Sequence, residues 1–101
     1  MIFGNNGQNM VRVGNTDMFN DGTMQNHVGN AMFSSNGISQ RSGNMMFHGN
    51  GAGMSTKTGN MFMTPGGTWT KVGSMLFGPN GQTFSGVTSD DDAWSIINKN
   101  T

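Results

Sequence analysis

Gly43-Asn44-Met45-Met46-Phe47-His48-Gly49-Asn50-Gly51 is the stretch that decides how the chain is read. A Gly-Asn corner opens it, two apolar residues and an aromatic follow, and an Asn-Gly pair closes it. A polar run then leads through Thr56-Lys57-Thr58 to the next corner at Gly59-Asn60. The same wording recurs along most of the chain. Corners stand at Gly14-Asn15, Gly29-Asn30, Gly43-Asn44, Gly59-Asn60 and, as Gly-Ser, at Gly73-Ser74; anchors stand at Phe3, Phe19, Phe33, Phe47, Met63 and Phe77, a period of 14 to 16 residues. A fixed period identifies a repeat architecture, in which each unit buries its apolar face against its neighbours.

Each period carries two turn signals. Asn-Gly pairs (Asn6-Gly7, Asn36-Gly37, Asn50-Gly51, Asn80-Gly81), with Asp21-Gly22 and Gly66-Gly67 in the same role, tolerate the positive φ of tight hairpins. The Gly-Asn corners form the second turn, with glycine supplying the permissive backbone. Between turns lie stretches of about five residues, the usual strand length. In Met45-Met46-Phe47 both faces are apolar, whereas in the later stretch Val11 and Val13 oppose Met10 and Arg12, and Thr70 and Val72 oppose Trp69 and Lys71. Recurrent glycine, at about 1 kcal/mol each in a helix interior, disfavours helix over residues 1–88.

Composition agrees with this. The chain has 101 residues, 33% hydrophobic and only 10% charged, with 17 Gly. That is too little apolar material for an ordinary closed core, and too little charge for ordinary disorder. Net charge is zero but unevenly placed: Asp90-Asp91-Asp92 make the tail acidic, and the residues before Ser89 are mildly basic. Without cysteine there are no disulfides or thiolate metal sites. Met1-Ile2-Phe3-Gly4 lacks the features of a signal peptide, and no apolar run reaches transmembrane length.

The expected organisation is therefore a β-repeat region over 1–88 and a C-terminal cap over 89–101. In the cap, Ser89 serves as N-cap with Asp92 three residues later, the acids favour a helix N-terminus, and Trp94 and Ile97 cover the last rung. A final strand over 94–97 is the alternative. The fold class is all-β, and three arrangements of the repeat remain open: an antiparallel β-meander, a two-sided β-solenoid with stacked Phe columns, or a fibre-like β-spiral in which three chains share a core.

The repeat Gly-Asn-x-x-Phe-x-x-[Asn/Asp]-Gly resembles short tandem-repeat proteins of bacteria and their phages over residues 1–88. Its period and turn placement also resemble the triple β-spiral shafts of viral fibres, although Pro occurs only at Pro65 and Pro79. The resemblance implies a structural β-repeat without catalytic residues to carry over. Met63 departs from the anchor Phe, and the first unit starts without its Gly-Asn corner.

One column carries candidate chemistry. Arg12, His27, Arg41, Lys57 and Lys71 each stand two residues before a corner. Stacked strands would align them into a basic ladder able to follow an acidic polysaccharide, lipopolysaccharide phosphates or nucleic acid, with Trp69 on the same face to stack on a sugar or base. A cation before a turn is also a common solubility device that deters edge pairing, and the balance is far from that of a strongly basic nucleic-acid binder. Other chemistry is absent from the pattern. His27 and His48 lack a third ligand at zinc spacing, the three aspartates lack calcium-loop spacing, and no nucleophile–base grouping stands out. No cofactor, metal or enzymatic activity is expected. The methionines are adaptable core filler, and Thr56-Lys57-Thr58 and Thr68-Trp69-Thr70 supply only a fragment of an ice-binding array.

Two functional expectations follow. The first is a structural or adhesive component of a phage tail, fibre or spike, or of a bacterial extracellular filament. It would be a homo-oligomer, trimeric or filamentous, within a virion or extracellular assembly, meeting a host-surface glycan. The second is a binding module for an anionic glycan or nucleic acid through the ladder.

Overall fold

The computed structural model describes residues 1–5, 7–34, 37–51 and 53–100. Twelve short strands, β1 (Ile2–Gly4), β2 (Asn9–Val13), β3 (Thr16–Phe19), β4 (Met24–Val28), β5 (Ala31–Ser34), β6 (Gly37–Ser42), β7 (Met45–His48), β8 (Gly53–Thr58), β9 (Met61–Thr64), β10 (Gly67–Val72), β11 (Met75–Phe77) and β12 (Thr83–Ser85), precede one helix, α1 (Asp90–Lys99). Every strand pairs antiparallel with its chain neighbours, and β1 pairs with β12 through Phe3↔Ser85 and Gly4↔Phe84. The sheet is a closed barrel. Successive units thus lie side by side around an axis, where a solenoid would stack them in parallel. One chain completes its own sheet, so α1 has no open edge to cover.

The tight turns fall at the Gly-Asn corners. Register pairs Val13↔Thr16, Ser42↔Met45 and Thr58↔Met61 leave two residues in each of these loops. The glycine that opens each corner has φ near +60°, for example 64° at Gly14 and 61° at Gly43. That left-handed conformation penalises any residue with a Cβ. Beyond each corner the Asn carbonyl accepts from the amide two strands further on: His27 N to Asn15 O at 2.7 Å, Arg41 N to Asn30 O at 2.7 Å and Lys57 N to Asn44 O at 2.7 Å. At the other end the connections vary more in length. The β7–β8 connection holds a 3-10 turn over Gly49–Gly51, and Pro65-Gly66 joins β9 to β10. The glycines of the second turn signal also take positive φ there, 90° at Gly22, 71° at Gly51, 134° at Gly67 and 79° at Gly81, and the Gly66-Gly67 signal falls at a two-residue link as tight as the corners; Asn6 and Asn36 lie outside the described residues.

Helix α1 begins as its sequence predicts, with Ser89 Oγ accepting from Asp92 N at 3.2 Å. Its position differs from that expected of a cap. Ala93, Trp94, Ser95, Ile96 and Ile97 are all buried, and a helix buried on every side is a core element. Its contacts run to β2, β4, β6, β7, β8 and β9, which places it in the barrel lumen. Ten residues rise about 15 Å, matching strands of about 10–20 Å. The core is built around it. Met10, Met32, Met46, Phe62, Trp69, Leu76 and Phe84 point inward, and Trp94 meets Phe62 edge-on at 4.9 Å. A small apolar fraction suffices because the strands need bury only one face.

Which face is inward separates columns that the sequence pattern treats alike. Met32, Met46, Phe62 and Leu76, the middle residues of the apolar stretches, are buried, whereas the anchors Phe3, Phe33, Phe47, Met63 and Phe77 are exposed on the outside. The exception among the anchors is Phe19, which is buried; Met18 takes the outward place in β3 and Asp17 the inward one.

Candidate functional site

Alternation along the even strands carries the basic column into the lumen. Inward pairs are Met10 and Arg12, Gln25 and His27, Ser39 and Arg41, Ser55 and Lys57, and Trp69 and Lys71. In a closed barrel the expected ladder becomes a ring at the corner end. The structure brings all five cations of the column to this ring.

The ring encloses acids. Asp17, opposite Arg12 in register, is fully buried; it accepts from Arg12 Nε at 2.6 Å and lies 2.5 Å from His27 Nε2. Burial by itself would raise the Asp17 pKa, but the hydrogen bonds from His27 and Arg12 prevail and hold it at about 2. Asp17 in turn pushes Arg12 upward. The remaining partners are the three aspartates opening α1. Asp92 Oδ1 lies 3.1 Å from Arg12 Nη2, Asp91 pairs with Arg41, and Asp90 Oδ2 lies 3.6 Å from Lys57 Nζ. Consecutive helical residues turn by about 100°, so three acids in a row address three cations around the ring. Lys57 also sits 6.0 Å from the Phe62 ring centroid, and Lys71 Nζ donates to Gly73 O at 2.8 Å. Trp69 is buried against Phe84, with ring centroids 6.1 Å apart. Its indole is thus packed in the core, away from any external sugar or base.

At the opposite end a neutral network ties α1 to the wall, and the sequence pattern did not reveal it. Asn98 Oδ1 accepts from Ser39 Oγ at 2.9 Å and from His48 Nδ1 at 2.7 Å, and Asn98 Nδ2 donates to Gln25 Oε1 at 2.8 Å. Gln25 Nε2 then donates to Ser95 O at 2.9 Å. Because an amide oxygen only accepts, His48 carries its proton on Nδ1, and Nε2 accepts from Ser55 Oγ at 2.5 Å. Burial lowers the His48 pKa, against the Asn98 bond that raises it. Ser55–His48–Asn98 follows the order of a nucleophile, a base and an orienting group, yet Ser55 has no exposed surface. The arrangement satisfies buried polar groups and fixes the helix C-terminus. Lys99 adds an ion pair with Asp21 at 3.0 Å.

No family model, curated protein or solved structure matches this chain. Function must therefore be read from the surfaces the fold presents. Among the described residues no group of three His, Asp or Glu is placed to hold a metal.

The outer wall is the other half of the pattern. Every charged residue on the strands points inward, so the outward positions are apolar or neutral polar. They form rows across neighbouring strands: Val11–Met18–Met24, Asn26–Phe33–Ile38, Gln40–Phe47–Met54, Thr56–Met63–Thr68 and Thr70–Phe77–Thr83. Phe33 is 41% exposed, Phe47 48% and Met63 52%. An open groove of about 500 Å³ on this wall is lined by Thr16, Gly22, Met24, Asn26, Phe33 and Ser34.

Proposed function

We propose that the protein is a structural or adhesive component of an assembly such as a phage tail, fibre or spike, or a bacterial extracellular filament, and that it works by presenting a rigid surface. The observation that carries this reading is the outer wall: large apolar side chains exposed around the barrel, with no charge among the described strand residues that face outward. Large apolar side chains recurring on an outer face, here interleaved with Thr, Asn and Gln, fit a surface that meets a partner. The inner face supports the same reading, because its charged groups pair with one another or with the chain's own helix. In a fibre, a chain that closes its own sheet would be a bead in a row, distinct from one strand set of a shared spiral.

Binding of an anionic glycan or nucleic acid through the column would require displacing Asp90–Asp92 from Arg12, Arg41 and Lys57, and Asp17 from Arg12 and His27. With Trp94, Ile96 and Ile97 buried on the same helix, expulsion would expose the core, which places this reading second. The test is fractionation of the producing culture with an antibody against the folded barrel. Recovery in purified virions or surface filaments is expected; recovery only as free chain in the soluble cell fraction would count against the proposal.

A further inference from the structure

The wall is unpartnered in a single chain, and its chemistry restricts what can cover it. Hydrocarbon fits poorly. Strands of 3 to 6 residues are shorter than the 9 to 11 that span a bilayer. The rows also interleave Phe33, Phe47 and Phe77 with Asn26, Gln40 and Thr70, whose polar groups would lack partners in lipid. A strongly charged partner has nothing to pair with, since the wall carries no charge.

A second copy of this chain fits on three counts. Net charge is zero and the pI about 6.7, so copies approach without long-range repulsion. Two uncharged walls meet without stripping water from ions, and Thr, Asn and Gln on each can hydrogen-bond the other. The area is also sufficient. A stable interface uses about 800 Å² per partner, roughly one sixth of the 5152 Å² surface, which one flank of a wall encircling the barrel can supply.

We infer that the outer wall is a homotypic interface through which barrels pack side by side, an inference that rests on the structural reading above and names its partner. Exposed apolar residues recur in the rows around the barrel, so a copy docked on one flank leaves others uncovered. Contacts of that kind propagate into lateral arrays.

The test is sedimentation velocity of the purified full chain over a wide concentration range, at low and high salt. The mass is expected to grow with concentration beyond a dimer, and growth should persist in high salt because no charged group lies in the contact. The triple variant Phe33→Lys/Phe47→Lys/Met63→Lys places charges only on the exposed wall. It should keep the wild-type circular dichroism and thermal melt while associating more than about a hundredfold more weakly, since like charges would face each other across the contact. The proposal is overturned by a wild type that stays at 10.8 kDa throughout, by a folded triple variant that associates as well as wild type, or by wild type that floats with neutral lipid vesicles instead of self-associating. Should the triple variant not fold, Ile38→Lys and Met54→Lys singly give the same readout. A chain that is monomeric alone yet recovered in particles would sink this inference and leave the structural reading standing, with a different protein covering the wall.

Discussion

Asp17→Asn isolates what the basic column does. The carboxylate is fully buried between Arg12 and His27, and its pKa is about 2 against an ordinary 3.8. Lowering the pKa that far corresponds to about 2 kcal/mol favouring the folded state at neutral pH. Removing the charge also leaves the cations facing a neutral amide, so the expected loss is about 2–4 kcal/mol. Asp90 and Asp91 make similar ion pairs, but their side chains are 50% and 51% exposed, and exposed pairs contribute about 0–1 kcal/mol. Asp90→Asn and Asp91→Asn should therefore cost less than about 1 kcal/mol each. The assay is urea unfolding followed by the fluorescence of buried Trp69 and Trp94. The pH dependence supplies the sign. The folded pKa of Asp17 lies below the unfolded one, so its contribution is complete above about pH 4 and is lost as pH falls toward 2. The gap between wild type and Asp17→Asn should close over that window. An Asp17→Asn loss under about 0.5 kcal/mol, or an Asp91→Asn loss equal to it, would refute the burial argument.

Trp94→Ala should cost about 3–5 kcal/mol by emptying the lumen beside Phe62, while Phe33→Ser on the wall should cost less than about 1 kcal/mol; the same denaturation assay ranks them, and the reverse order would contradict the assigned faces. His48 is held below its ordinary 6.5 by burial, so the unfolded chain takes up that proton first. Wild-type stability should then decline as pH drops below about 6.5 and on through the folded value, and His48→Gln should flatten this part of the profile in melts between neutral and mildly acid pH.

Much of the local structure is legible in the residues. The Gly-Asn corners, the strand-length stretches and the Ser89 cap all appear as the pattern predicts, because each depends on a few neighbouring residues. The inward and outward faces are less legible. Met45-Met46-Phe47 is apolar on both sides, so period-two alternation cannot say which side is the core. The pairing of Arg12 with Met10, and of Lys71 with Trp69, placed the cations on one face correctly, but only closure of the barrel makes that face the interior. Phe19 illustrates a register limit: counted from its corner, Met18 occupies the place that Phe33 and Phe47 hold, and the aromatic beside it turns inward. The link between Asp90–Asp92 and the basic column joins residues up to 80 positions apart. Its only trace in the sequence is the opposite charge of the two regions.

The central claim is that one chain closes a barrel around its own C-terminal helix. The most direct measurement is nuclear Overhauser contacts in a sample mixing isotope-labelled and unlabelled chains. The account predicts contacts from Trp94 to Phe62, and from β1 to β12 across Phe3↔Ser85, within labelled chains only. Trp94–Phe62 or β1–β12 contacts seen only between labelled and unlabelled chains would mean that several chains share the core, and would contradict it.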